Sequence, residues 1–218
     1  MTKSAAAEPV FKGPPKNCPH CPRLAEFRAE NRRKFPTWHN DPVPAFGPMD
    51  ARLLVVGLAP GLRGANCTGR PFTGDYAGAL LYPSLLKYGL ARGTYGAEAN
   101  DGLDLVDCRI TNAVRCVPPA NKPTPQEQKT CRDFLVAEIA AMPRLRSILV
   151  LGRIAHEATI TTLGLRKAAY PFGHGTTHRI DGKPAVTDSY HCSRYNLNTK
   201  VLTEPMFHAA LERAIAAT

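Results

Sequence analysis

The fold of the chain is indicated by residues 53–75, LLVVGLAPGLRGANCTGRPFTGD. The apolar run at the start of this stretch predicts a short buried strand over Leu53–Gly57. The residues from Gly57 to Asp75 then hold five glycines and two prolines and end on an acid. Glycine permits unusual turns and lets the backbone come close to a ligand. The stretch therefore predicts either a demanding turn or a ligand site directly after the first strand.

The rest of the chain repeats the order strand, turn, helix. Further strand-like runs cover residues 109–114, 147–152 and 185–189, and helical patterns cover residues 22–34, 78–88, 125–141, 153–163 and 204–216. Strands that alternate with helices predict right-handed crossovers and a mostly parallel sheet covered on both faces. We therefore expect an α/β fold around a central, mostly parallel sheet of four strands.

Three unusual loops follow predicted strands. They are residues 57–75, the segment NAVRCVPP at residues 112–119, and the segment SYHCSRYN at residues 189–196. Because ligands of open α/β sheets bind beyond the carboxyl ends of the strands, we expect these loops to meet at one edge of the sheet and to form the site there.

Charge and composition restrict the classes of protein. The formal net charge of +10 over 218 residues favours a polyanionic partner, nucleic acid first, although a merely basic protein stays an alternative. The apolar runs are far shorter than the roughly 20 residues of a membrane-crossing helix, and the N-terminus lacks the apolar core of a signal peptide. We expect an intracellular, cytoplasmic protein with a flexible basic tail over residues 1–16 and a single domain over residues 17–218.

Four of the seven cysteines form two separated pairs. Cys18 and Cys21 stand in a C-x2-C motif, and Cys116 and Cys131 flank a segment rich in proline and lysine. Disulfides are uncommon inside cells, whereas four thiolates suit either a tetrahedral zinc ion or an iron–sulfur cluster. Ordinary buried thiols are the alternative. The spacing predicts a metal centre without choosing the metal.

Taken together, these segments resemble the uracil-DNA glycosylase superfamily, and most closely its family-five branch of bacterial and archaeal iron–sulfur enzymes. The resemblance rests on residues 57–75 and on the segments CPHCPRL, TNAVRCVPPANKPTPQEQKTC, FGHGTTHRI and SYHCSRYNLNT, and it extends over residues 18–210. It implies a three-layer α/β/α domain that hydrolyses the N-glycosidic bond of uracil and other deaminated bases in DNA. It also implies a 4Fe–4S cluster held by Cys18, Cys21, Cys116 and Cys131, and so favours iron over zinc. We expect the protein to be a monomer.

The resemblance also assigns roles to residues of the three loops. Phe72 matches the aromatic residue that stacks on the flipped base, Asn112 the amide that pairs with the polar edge of the base, and His191 the donor to the departing base. The first turn offers only backbone, so the matching acid is Asp75, which would orient water or stabilise the sugar cation. Capping of the following helix is the alternative role of Asp75.

Further residues are expected to hold the nucleic acid. The main chain of Gly57, Ala59 and Gly61 is expected to lie against the flipped nucleotide. The expected contacts to DNA are Arg63, Arg70, Lys122, Arg194, Tyr195 and Lys200.

The sequence departs from the family pattern in the functional loops. Leu62-Arg63 replaces a small residue and a histidine, Cys67 replaces an arginine, and Cys192 replaces a proline. These changes bear on which damaged bases are substrates and on how tightly the protein binds DNA. They leave open a second function on the same fold, a low-turnover protein that binds uracil-containing or abasic DNA.

Overall fold

The computed structural model describes residues 11–218. Ten residues of the predicted tail therefore lie outside the described residues, and residues 11–16 carry neither helix nor strand. Within the described range, no helix is long and apolar enough to cross a membrane.

The chain folds around a sheet of five strands. The seven strands of the described chain are β1 (Leu53–Gly57), β2 (Ala91–Arg92), β3 (Asp104–Leu105), β4 (Cys108–Asn112), β5 (Ser147–Leu151), β6 (Thr177–His178) and β7 (Ala185–Ser189). The main sheet has the order β4-β1-β5-β7-β6, and β2 pairs with β3 in a separate antiparallel ribbon. The first four strands of the main sheet are parallel, and only β6 runs antiparallel to its neighbour β7.

Helices cover both faces of the main sheet. They are α1 (Pro22–Lys34), α2 (Ala65–Thr68), α3 (Gly78–Lys87), α4 (Pro125–Ala140), α5 (Arg153–Thr162), α6 (Arg194–Asn198) and α7 (Glu204–Ile215), with short 3-10 helices at Pro119–Asn121 and Lys167–Ala169. Since successive side chains of a strand point to opposite faces, Leu53 and Val55 pack with α3 and α7, whereas Leu54 and Val56 pack with α4 and α5. The result is the expected three-layer α/β/α fold.

The fold matches the α/β expectation, with one strand more than predicted. All four predicted strands are present, and β6 adds the fifth through pairing of Thr177 with Thr187. A strand of two residues is too short for an alternating pattern to reveal it. The parallel strands are buried along their whole length, and burial on both faces explains the continuous apolar runs of the two central strands β1 and β5.

A buried hydrogen-bond network joins α5, β6 and β7. Nδ1 of His156 lies 2.7 Å from Oδ1 of Asp188, and its Nε2 lies 2.8 Å from the carbonyl oxygen of Tyr170. Because both partners are acceptors, both ring nitrogens must carry protons. Burial lowers the pKa of His156, but the contacts with Asp188 outweigh burial and raise it. Nε2 of His178 lies 3.2 Å from the other carboxylate oxygen of Asp188. The doubly protonated His156 has no lone pair left for a metal ion.

This network predicts a pH-dependent contribution to stability. The pKa of His156 is raised in the folded state, so its contribution is complete below the ordinary histidine pKa of about 6.5 and is lost as the pH rises through the raised value. We expect the melting temperature of the wild type to exceed that of His156→Gln by several degrees near pH 6, and the gap to narrow toward pH 9. Thermal melts across this range test the expectation, and a gap that is constant with pH would contradict it.

Candidate active site

A cavity of about 330 Å³ opens at the carboxyl ends of β1, β4 and β7. The three loops expected to meet at this edge all contribute to its wall. The lining residues are Leu58, Ala59, Pro60, Gly61, Ala65, Phe72, Asp75, Tyr76, Ala77, Asn112, Asn121, His191, Ser193 and Arg194. The size and the mixture of apolar and polar groups suit a small planar ligand.

Gly57, the last residue of β1, lies directly against the ring of Phe72 and the side-chain amide of Asn112. A Cβ atom at Gly57 would lie 2.4 Å from Cζ of Phe72 and 2.4 Å from Oδ1 of Asn112, so only glycine lets both side chains approach the end of β1. The backbone of Phe72 has a φ of 53°, and its ring centroid lies 6.1 Å from that of His191. The turn after β1 therefore places Phe72 between the core and the cavity.

Asn112 ends β4 with its side chain at the cavity wall. The residue is 3% exposed, and its Oδ1 has no hydrogen-bond partner among the described residues. Buried polar atoms in native proteins are nearly always paired. An unpaired amide oxygen on a residue that lines a cavity is therefore a candidate acceptor for a ligand that brings an N–H group.

Asp75 both contacts a helix start and faces the cavity. Its Oδ1 accepts a hydrogen bond of 3.1 Å from the backbone N–H of Gly78 at the start of α3. A Cβ atom at Gly64 would lie 2.7 Å from Oδ2, so that glycine leaves room for the carboxylate. Burial raises the pKa of Asp75, and backbone hydrogen bonds offset this only in part. The site holds an acid that takes up a proton more readily than an exposed aspartate.

His191 lies on the opposite loop, directly after β7. Its carbonyl oxygen accepts a hydrogen bond of 2.8 Å from Nδ2 of Asn196, which fixes the backbone independently of the imidazole. Burial lowers the pKa of His191, so the ring is neutral near pH 7. A neutral imidazole has one N–H donor and one acceptor. The loop thus places at the cavity wall a neutral imidazole that can donate one hydrogen bond without carrying a permanent charge.

Arg70, predicted to contact DNA, is buried instead. The residue is 4% exposed, and its two Nη atoms donate to the carboxylate of Asp101 at 2.8 and 2.7 Å. The hydrogen bonds from Arg70 hold the pKa of Asp101 below its usual range. Nε of Arg70 also donates to Thr73. The prediction of a phosphate contact was wrong, because every donor group of Arg70 serves to hold the loop that carries Phe72.

The other residues expected to touch DNA lie at the surface. Arg63, Lys122, Tyr195 and Lys200 are exposed, and Arg194 is exposed at the rim of the cavity. Their roles stay predictions. Sequence reasoning missed three polar residues of the cavity wall, Tyr76, Asn121 and Ser193. Tyr76 directly follows Asp75, and this adjacency to a predicted site residue could have identified Tyr76 as part of the cavity wall.

The four paired cysteines line a second hollow, between α1, α4 and the segment after β4. Cys18, Cys116 and Cys131 are buried and Cys21 is partly buried. Two donors point at sulfur atoms, Nη1 of Arg28 at Cys116 and the backbone N–H of Arg115 at Cys131, both at 3.4 Å. This geometry is compatible with an iron–sulfur cluster.

Buried positive charge surrounds the same hollow. Arg28 is 5% exposed, and its Nε has no hydrogen-bond partner among the described residues. Arg115 shares the carboxylate of Glu138 with Arg109. Buried charges are normally compensated, so the hollow suits an anionic group such as metal-bound thiolates.

The departures from the family pattern lie away from the cavity wall. Cys192 is fully buried in the core formed with α3 and α7, and burial, followed by the charge of Asp75, raises the pKa of its thiol to about 12. Cys67 lies half-buried on α2, and Arg63 is exposed. Cys192 therefore acts as an apolar packing group next to His191.

Comparison with known proteins gives a consistent result. A model of the uracil DNA glycosylase superfamily matches residues 44–215. A type-5 uracil-DNA glycosylase of Thermus thermophilus is 45% identical over 203 residues, covering 90% of this chain and 92% of that protein. A type-5 uracil-DNA glycosylase of Pyrobaculum aerophilum is 39% identical over 204 residues, covering 92% and 88%. A type-4 uracil-DNA glycosylase of the same organism is 30% identical over 202 residues, covering 92% and 87%.

Proposed function

The chain belongs to the uracil DNA glycosylase superfamily, and from this premise we propose how its cavity removes uracil from DNA. The protein is a uracil-DNA glycosylase, an enzyme of DNA repair that hydrolyses the N-glycosidic bond. The main observation behind the proposed site is the unpaired, buried Oδ1 of Asn112, a residue that lines the same cavity as Phe72, Asp75 and His191.

Base binding would use Phe72 and Asn112. An enzyme of this kind extrudes the base from the duplex at a cost of a few kcal/mol, and stacking on an aromatic ring returns about 1–3 kcal/mol. Oδ1 of Asn112 would accept the imide N–H of uracil, and the amide N–H₂ would donate to the neighbouring carbonyl. Cytosine lacks the imide proton, so this pairing would favour uracil.

Hydrolysis would use Asp75 and His191 on opposite sides of the nucleotide. Asp75 would orient a water molecule toward the anomeric carbon and take a proton from it as the new C–O bond forms. The glycosidic electron pair leaves with the base, and the N–H of His191 would stabilise the resulting anion, as preorganised donors do where charge develops. The raised pKa of Asp75 favours proton uptake.

The resident cluster would be a 4Fe–4S cluster on Cys18, Cys21, Cys116 and Cys131. Among residues 11–218, the one group of three histidine, cysteine or acidic side chains whose candidate ligand atoms all lie within 4.8 Å of one another is His156, His178 and Asp188, and the hydrogen bonds of His156 already exclude a metal ion there. No three of the four cysteine sulfurs therefore lie within 4.8 Å of one another, whereas the sulfurs around a single zinc ion, with bonds of about 2.3 Å, lie roughly 3.8 Å apart. When bound, the cluster would supply structure, tying α1 to α4 and to the segment after β4.

The cluster predicts a coloured protein. Cysteine-held iron–sulfur clusters absorb broadly near about 400 nm, so we expect a brown preparation with stoichiometric iron and sulfide when it is purified without oxygen. Absorption spectroscopy and metal analysis test this. A folded, colourless protein with stoichiometric zinc would contradict it.

DNA binding would depend strongly on salt because of the net charge of +10.

We propose that the enzyme acts as a monomer in the cytoplasm, on the nucleoid, and that other deaminated bases are further substrates. A panel of oligonucleotides with uracil, hypoxanthine or xanthine measures this range.

A single-turnover assay tests the proposed function against the alternative of a low-turnover binding protein. Enzyme in excess over a uracil-containing oligonucleotide, followed by alkali, should give strand cleavage at uracil and none at thymine in the matched control. Tight binding without cleavage would favour the binding protein.

The role of Asn112 predicts a change of base preference. Asn112→Asp should slow uracil excision by about 10- to 100-fold, because a carboxylate cannot donate to the carbonyl of uracil and repels the departing anion. It should also admit cytosine, whose amino group donates to a carboxylate. The matched control is Asn121→Asp, which adds the same charge at an exposed position of the cavity wall. Equal rates for Asn112→Asp and the wild type would remove Asn112 from the site.

A further inference from the structure

Tyr76 and Arg194 meet at the mouth of the cavity from opposite loops. Tyr76 follows Asp75 in the loop after β1, and Arg194 begins α6 after β7. The guanidinium carbon of Arg194 lies 5.7 Å from the centroid of the Tyr76 ring. Tyr76 is 49% exposed, so burial in the core does not account for this aromatic residue at the rim.

The contact with the Tyr76 ring leaves the hydrogen-bond donors of Arg194 free. A guanidinium uses its face to stack on an aromatic ring, whereas its five N–H donors lie in the plane of the group. Among the described residues, no carboxylate lies within ion-pair distance of Arg194, in contrast to Arg70, whose two Nη groups donate to Asp101. The N–H donors of the Arg194 guanidinium group are therefore available to bind an oxyanion at the cavity mouth.

We propose that Tyr76 is a positioning residue that holds Arg194 at the cavity mouth, where its guanidinium contacts the phosphate next to the flipped deoxyuridine. The proposal rests on the proposed function, since it takes DNA as the ligand of this cavity. A flipped nucleotide brings its flanking phosphates to the rim, and a planar fork matches two phosphate oxygens. An exposed arginine otherwise samples many rotamers, and the ring restricts this sampling before DNA binds.

The salt dependence of binding separates this role from a merely structural one. The probe is a duplex with a tetrahydrofuran abasic analogue, whose binding requires no turnover. Each neutralised phosphate contributes about 0.9 to the slope of log affinity against log salt. We expect Arg194→Ala to lower the magnitude of this salt slope by about 0.9. Tyr76→Leu should lower the slope by most of the same amount. Tyr76→Phe should leave the slope unchanged, because the face of the aromatic ring remains.

A double-mutant cycle completes the test. Tyr76→Leu should weaken binding by about two- to fivefold, and the Tyr76→Leu/Arg194→Ala pair should bind no more weakly than Arg194→Ala alone. Additive losses, or an unchanged salt slope in Tyr76→Leu, would overturn the proposal and assign the ring to direct contact with the nucleotide. Cluster absorption and melting temperature confirm that each variant is folded. Failure of the wild type to excise uracil would instead count against the proposed function, because the binding measurements do not depend on turnover.

Discussion

Asp75→Asn should slow single-turnover release of uracil by about 10²–10⁴-fold, the contribution typical of a positioned acid or base. Asparagine keeps an oxygen that can accept the hydrogen bond from the Gly78 N–H, so it preserves the contact with α3 while it removes the charge and the proton-accepting group. The substitution therefore isolates the chemical role of Asp75 from its role at the helix start.

Asp75→Ala is the matched variant, because it removes both roles. Loss of a capping side chain costs about 0.5–2 kcal/mol, so this variant should melt earlier than Asp75→Asn and cleave as slowly. If Asp75→Asn cleaves at the wild-type rate while Asp75→Ala only melts earlier, Asp75 serves the helix alone.

The pH dependence gives a second signature of Asp75. Burial raises its pKa, and the carboxylate must be ionised to accept a proton from water. The wild-type cleavage rate should therefore fall as the pH is lowered, and it should do so at a pH above the ordinary aspartate pKa of about 3.9. The slower cleavage by Asp75→Asn should show no such fall. Single-turnover rates between pH 4 and 8, with cluster absorption monitored at each pH, measure this.

His191→Ala should slow the same step by about 10²–10³-fold, because one preorganised donor to developing anionic charge contributes that much. The wild-type ring is neutral near pH 7, since burial lowers its pKa, so the loss is that of a hydrogen bond rather than of a permanent charge. His191→Gln, which returns an N–H donor, should recover part of the rate.

The backbone contact of His191 makes this test specific. Asn196 bonds the carbonyl oxygen of His191 rather than its ring, so the loop should keep its shape in His191→Ala. Affinity for abasic DNA and the melting temperature should then stay close to those of the wild type. A wild-type cleavage rate in His191→Ala would exclude the imidazole from the reaction.

The sequence by itself determined the layered fold and the edge of the sheet that carries the site. The four parallel strands and the longer helices agree with their predicted limits to within two residues, because local periodicity is set by which faces become buried. The loop that holds Phe72 and Asp75 was visible for the same local reason, as glycines and prolines mark the turn after β1.

Only the tertiary structure decided which polar groups pair. Arg70 and Asp101 are 31 residues apart in the chain, and no local pattern distinguishes an arginine that will be buried in an ion pair from one that will meet phosphate. The contact of Tyr76 with Arg194 and that of His156 with Asp188 likewise join distant segments. Periodicity reports the burial of a face, whereas the pairing of charges depends on where the finished fold brings separate loops together.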